Sequence, residues 1–98
     1  MANIILHCYY PGRDGSARAF VEEMISSGIQ DEVRNEDGCL QYDYFLSAQD
    51  PETAVLLEKW RDAEALNAHM VGEPMKHLKA VKARHGLETV VERYDLKE

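Results

Sequence analysis

The stretch "CLQYDYFLSAQDPETAVLLEKW", Cys39 to Trp60, decides the fold. Over residues 39–47, Leu40, Tyr42, Tyr44 and Leu46 fall on one side, with Cys39, Gln41, Asp43 and Phe45 on the other. A period of two is the mark of a strand. "AQDPET" then breaks the run, and "AVLLEKW" (54–60) resumes it. A turn this short joins antiparallel neighbours, so the centre of the chain reads as a hairpin.

Working outward, Ala17, Phe20, Val21, Met24, Ile25, Ile29 and Val33 recur at helical spacing and predict a helix from Ser16. Ser16 or Asp14 can cap its start, and Gly38 lies just past its end. Gly28 inside the helix costs about 1 kcal/mol relative to alanine, and marks a close approach or a bend. Before it, "NIILHCYY" (3–10) is β-branched and aromatic, and reads as a strand stopped by "PGRDG". On the other side, Asp62 is an N-cap for "AEALNAHM", which Gly72 ends. Pro74 opens a further helix with Met75, Leu78 and Val81 as its stripe and Gly86 as its stop. "LETVVERYDL" (87–96) is the last strand.

The order is β-α-β-β-α-β with the second helix in two pieces. This is an α+β, ferredoxin-like split βαβ unit, which stacks its helices on one face of a four-stranded antiparallel sheet. The strands nevertheless carry bulky residues on both sides, with Ile4, Leu6 and Cys8 set against Ile5, His7 and Tyr9. A sheet apolar on both faces wants a second cover, and a second copy of the chain provides it. A homodimer with its sheets face to face is expected.

At 98 residues, 45% hydrophobic and 30% charged, the chain reads as one soluble globular domain, 1–98, small enough to gain from association. Its formal charge of -7 disfavours nucleic acid and phosphate-rich membrane surfaces, since both draw affinity from neutralising phosphate. A small-molecule partner is expected. No apolar run approaches membrane-span length, and "MANIILHCYYPG" has no basic n-region. Cys8 and Cys39 form no C-x-x-C pair and suit buried thiols in a reducing cytoplasm. G-x-G-x-x-G, P-loop and G-x-S-x-G motifs are missing, as is metal spacing such as H-E-x-x-H, so no metal site is expected.

"EDGCLQY" (Glu36, Gly38, Cys39, Tyr42), "EKW" (Glu58, Trp60) and His69 nine residues after the tryptophan resemble the antibiotic biosynthesis monooxygenase family. The resemblance covers roughly residues 3 to 95 and implies a small dimeric α/β-barrel protein. It also implies oxygenation with no cofactor: neither flavin, metal nor haem. Quinol-oxidising members bind a hydroquinone-like aromatic between sheet and helices. A related branch isomerises a phosphorylated sugar-derived signal. A haem-degrading branch has a tryptophan where this chain has His69 and an iron-binding histidine where it has Lys79, so the resemblance to that branch fails.

The candidate residues carry two readings each. His69 borders the apolar face of its helix and is either a space-filling histidine or a base for a phenolic or enolic proton. On the resemblance it is the expected catalytic base. His7, on the face of Ile5 and Tyr9, is a structural histidine or a second acid/base that holds a substrate oxygen. Tyr42 and Tyr44 share a strand face and line an aromatic pocket or pack an interface. Trp60 reads first as core and second as pocket wall. Glu58, between Leu57 and Trp60, needs a partner or the rim of a pocket. Lys76, Lys79, Lys82 and Arg84 form a solvated basic helix face or an anion-binding rim, with Lys76 or Lys79 expected near a phosphate. Three functions therefore stand: a quinol-type monooxygenase, an isomerase of a phosphorylated hydroxy-ketone, and a non-catalytic ligand-binding dimer.

Overall fold

In a computed structural model, which describes residues 3–97, the 39–60 hairpin lies along the chain between two pairs of helices. The elements are β1 (Asn3–Pro11), α1 (Ser16–Ser26), α2 (Ile29–Arg34), β2 (Cys39–Leu46), β3 (Thr53–Trp60), α3 (Ala63–Met70), α4 (Glu73–Arg84) and β4 (Val90–Leu96). Every pairing is antiparallel and the strand order is β2-β3-β1-β4, the ferredoxin-like α+β arrangement.

Four local departures from the sequence reading have physical causes. The expected helix 16–33 divides at Gly28, whose φ of 85° is left-handed. A Cβ there would meet nothing within 4 Å, so this glycine serves the bend and not a close approach. Neither Ser16 nor Asp14 caps α1. Its N-cap is Gly15, whose N–H donates to Glu52 Oε1, while Ser16 Oγ accepts from the Arg13 N–H. In β2 a bulge between Cys39 and Gln41 sets Cys39 opposite Trp60 and leaves Leu40 as the extra residue. Leu40 is therefore half exposed instead of sharing the buried side of Tyr42. Finally, the last strand begins at Val90. Leu87 is buried as a core residue, with its N–H on the Lys82 carbonyl.

The helix starts read from sequence hold. Asp62 Oδ1 accepts from the Ala65 N–H at 2.9 Å, and Pro74 lies in the first turn of α4. All four helices cover one face of the sheet. On that inner face Ile4, Leu6, Cys8, Tyr10, Leu56 and Trp60 pack under Phe20, Met24, Val33, Leu66, Leu78 and Val81, all buried. The outer face has no cover from the chain: Ile5, His7 and Tyr9 are half buried, and Phe45, Val90 and Tyr94 are half exposed. Among the described residues no helix is long and apolar enough to cross a membrane.

Candidate active site

The site is built where α3 crosses the end of β3. The Asp62 cap fixes the start of α3, and Ala65, Leu66 and His69 then share its inward face at helical spacing. His69 is 2% exposed, and its ring stacks on that of Trp60 with centroids 4.6 Å apart and planes 24° apart. One ring nitrogen, Nδ1, lies 2.8 Å from Glu36 Oε1; the other, Nε2, lies 3.8 Å from Glu58 Oε1.

Glu36 comes from a loop 33 residues away, and a glycine brings it there. Gly38 is left-handed, with φ of 84°, and a Cβ on it would sit 2.4 Å from the Ala65 Cβ. Only a glycine lets this loop close on α3. The Arg61 N–H donates to the Gly38 carbonyl at 2.8 Å and fixes the approach. A Glu36 carboxylate at hydrogen-bond distance assigns the proton to Nδ1, which leaves Nε2 as the nitrogen free to exchange protons.

Glu58 is 6% exposed. Its Oε1 accepts from Trp60 Nε1 at 3.0 Å, and its Oε2 accepts from the Cys8 thiol at 3.5 Å. Burial pushes this carboxyl above its ordinary range, while the Trp60 N–H, the positive field of His69 and the Cys8 thiol partly hold it down. The partners that a carboxylate at this position requires are thus an indole and a thiol, with His69 Nε2 at 3.8 Å. Burial first, and Glu58 second, push the Cys8 thiol up as well, so it stays protonated and donates.

His69 and Glu58 open on a cavity of about 190 Å³ between sheet and helices. Leu6, Met70 and Met75 flank that end, Cys8 and Leu78 form the middle, and Tyr10, Thr89 and Lys82 line the rest. A cavity this apolar with a few convergent polar groups has the character of a ligand site.

The structure brings together only part of the expected set. His69 and Glu58 share the cavity; Trp60 lies beneath His69 and is packing. Tyr42 is buried with its hydroxyl 3.3 Å from that of Tyr44, and neither lines the cavity. Burial pushes both phenols up, which removes them as acids near neutral pH. His7 faces the opposite side of the sheet, where Nδ1 is 3.1 Å from the Tyr9 hydroxyl and 3.9 Å from Glu92, so it cannot act with His69 within one chain. Lys76 is exposed and pairs with Glu73, and Lys79 is exposed; neither reaches the cavity.

Two residues that carry the geometry were not singled out from sequence: Lys82 was one of four cations on a helix face, and Glu36 one residue of the family-like stretch. Lys82 had a signal: it follows Met75 and Leu78 at i+7 and i+4 on the buried stripe, whereas Lys76 and Lys79 lie off it. Glu36 had none, since nothing in its neighbourhood marks a contact 33 residues on.

Comparison with known proteins agrees with this architecture. Residues 3–81 match the family model described as antibiotic biosynthesis monooxygenase. A curated protein of Bacillus subtilis strain 168, "Putative monooxygenase YcnE", is 32% identical over 66 residues, 67% of each chain. A solved structure from Caulobacter crescentus CB15, described as a "putative antibiotic biosynthesis monooxygenase", is 22% identical with a TM-score of 0.86 and covers 99% of this chain and 92% of its own. A conserved protein from Methanosarcina mazei Go1 is 21% identical with a TM-score of 0.84, over 99% of this chain and 95% of its own. At these identities the solved structures share the fold.

Proposed function

This chain belongs to the antibiotic biosynthesis monooxygenase family, and on that premise we propose that it oxidises a small quinol-like aromatic with O2 and no cofactor. A general monooxygenase-like function is what the family match and the Bacillus relative support. The observation that carries the finer reading is His69, buried, held at Nδ1 by Glu36, with Nε2 toward Glu58 at the edge of an apolar cavity.

Without a metal or flavin the substrate must supply the electrons. Nε2 of His69 takes a phenolic proton, and the resulting anion is electron-rich enough to pass an electron to O2. Recombination of the phenoxyl radical with superoxide at a ring C–H carbon gives a peroxide anion. That carbon then loses its hydrogen as a proton while the O–O bond breaks and water leaves, the imidazolium returning the proton to the departing oxygen. One hydroquinone and one O2 thus become one hydroxyquinone and one water, with four electrons drawn from the ring. Glu36 holds the imidazole in the tautomer that this requires. The apolar walls formed by Leu6, Met75 and Leu78 keep water from the peroxide.

The isomerase reading drew on the basic face of α4 and looked to Lys76 or Lys79 for the phosphate; neither lines the cavity, and of that face only Lys82 does. The bare sheet face, with Ile5, Tyr9, Val55, Leu57, Phe45 and Tyr94, supports a homodimer joined sheet to sheet. Two free thiols, Cys8 and Cys39, suit a reducing cytoplasm.

The test is oxygen uptake with a naphthohydroquinone from pH 5 to 9, with protein-free autoxidation subtracted and one atom of ¹⁸O2 traced into the product. Wild type should incorporate label, and His69→Ala should turn over ~10²-fold or more slowly. Uptake no faster than autoxidation, or full activity in His69→Ala, defeats the reading.

A further inference from the structure

We infer that the cavity is polar at both ends and takes an aromatic that carries a carboxylate, with the carboxylate on Lys82 and the reacting hydroxyl on His69. The inference rests on the proposed oxidation for which end reacts, but the anion site stands on its own geometry.

Lys82 is the only lysine or arginine among the cavity-lining residues. The neighbouring cations of α4 are spent on carboxylates or turned to solvent: Lys76 on Glu73, Arg84 on Glu23, and Lys79 in water. The ammonium of Lys82 instead donates to the Thr89 hydroxyl at 2.9 Å, and among the described residues no carboxylate pairs with it. In a chain of net charge -7, this half-buried ammonium thus meets the cavity wall with a hydroxyl, and no carboxylate, as its partner. Two hydroxyl residues, Tyr10 and Thr89, line the same end.

The two ends are far enough apart to measure a ligand. Met75, beside the His69 end, and Lys82 are separated by seven residues of helix, ~10 Å at 1.5 Å per residue. Along the sheet, Leu6 to Tyr10 spans four residues, ~13 Å. One or two fused rings bearing a carboxylate bridge that interval, and a cavity of ~150 Å³ already admits benzene, against about 190 Å³ here. Polarity also sets direction. An anionic group is repelled by Glu58 and drawn to Lys82, so only one orientation presents the hydroxyl to Nε2. The group is a carboxylate and not a phosphate. Lys82 lies in the last turn of α4, where the helix carbonyls offset part of its charge, and no arginine fork or helix N-terminus is at hand for a dianion.

Calorimetric titration with 2-naphthoate, its neutral isostere 2-naphthamide and 2-naphthyl phosphate tests this without turnover. Wild type should favour naphthoate over naphthamide by ~10-fold or more, and raising the salt should shrink that margin. Lys82→Met, which keeps the apolar stem, should collapse the ratio, and Lys82→Arg should restore most of it. A ratio indifferent to Lys82→Met overturns the inference, as does tighter binding of the phosphate. Oxygen uptake by 1,4-dihydroxynaphthalene with and without a 2-carboxylate separates the two claims. A Lys82-dependent naphthoate preference with no uptake from either compound leaves the anion site standing and fells the oxidation; uptake with no carboxylate preference does the reverse.

Discussion

The two faces of the sheet are made by the same strands and do opposite things. In β1 the side chains of Ile4, Leu6, Cys8 and Tyr10 are buried under helices, while Ile5, His7 and Tyr9 stay half buried on the bare side. Each face carries a histidine next to a carboxylate. On the inner face His69 is 2% exposed, stacked on Trp60 and held at 2.8 Å by Glu36. On the outer face His7 has a third of its side chain exposed and meets Glu92 only at 3.9 Å, with the Tyr9 hydroxyl between them. The difference shows why residue type alone does not mark a site. A buried imidazole fixed in one tautomer can exchange protons with a ligand in an apolar cavity, whereas an exposed one is screened and solvated.

The largest effect that would break this contrast is on stability. Trp60 is fully buried on the inner face, so Trp60→Ala should cost ~3–5 kcal/mol, read from urea denaturation. Leu57, three residues earlier on the outer face, is only half buried, and Leu57→Ala should cost ~1 kcal/mol when the protein is dilute. If the outer face is the dimer interface, that second cost grows with protein concentration, whereas the first does not depend on it in the same way. Equal costs at every concentration would mean that the outer face stays open.

A smaller effect sharpens the catalytic half of the comparison. Glu36→Gln keeps an acceptor for the Nδ1 proton but removes the negative charge that stabilises the imidazolium. Turnover should fall ~10-fold or more, with the change in kcat and little in KM, because Glu36 does not line the cavity. His7→Ala should fall by less. If His7→Ala proves the more damaging, then chemistry uses the outer face, or a partner's outer face reaches the reacting group, and the site has been put on the wrong side of the sheet.

Much of the fold was legible because period and capping are local signals. The hairpin at 39–60, the Asp62 cap and Pro74 at the start of α4 depend on a few neighbouring residues. What was not legible depends on contacts the chain makes later. The bulge at Cys39 turns Leu40 out because Cys39 must face Trp60. Likewise Gly38 looked like a helix stop, but its left-handed turn serves the close approach to Ala65 that carries Glu36 to His69. For the site, His69 and Glu58 could be chosen from position and oddity. Tyr42, Tyr44, Lys76 and Lys79 could not be excluded, because strand alternation and helix charge say which side a residue is on and not what lies against it. Lys82 was within reach, since the spacing from Met75 and Leu78 puts it on the buried stripe.

The smallest effects come from two carboxylates that titrate in opposite senses, one under the helices and one at the surface. Glu58 is pushed up from 4.5, mainly by burial, so the folded chain holds its proton more tightly than the unfolded chain does. Across the window that begins near 4.5 and extends up to the folded value, stability from this group falls as pH rises. Glu23 is held down to about 2, chiefly by the Arg84 and His85 hydrogen bonds, and here the unfolded chain is the better proton acceptor. Its contribution is complete above 4.5 and is lost as pH falls toward about 2. Glu58→Gln should therefore flatten the decline on the alkaline side of 4.5 and leave the acid side in place. Glu23→Gln should flatten the acid side alone, and by less, since its pair is exposed and salt-screened. Urea midpoints from pH 2 to 8 at low and high salt would read both. A Glu58→Gln profile still falling above 4.5 would mean that burial does not raise this carboxyl above its ordinary range, and that the inner face is wetter than its packing indicates.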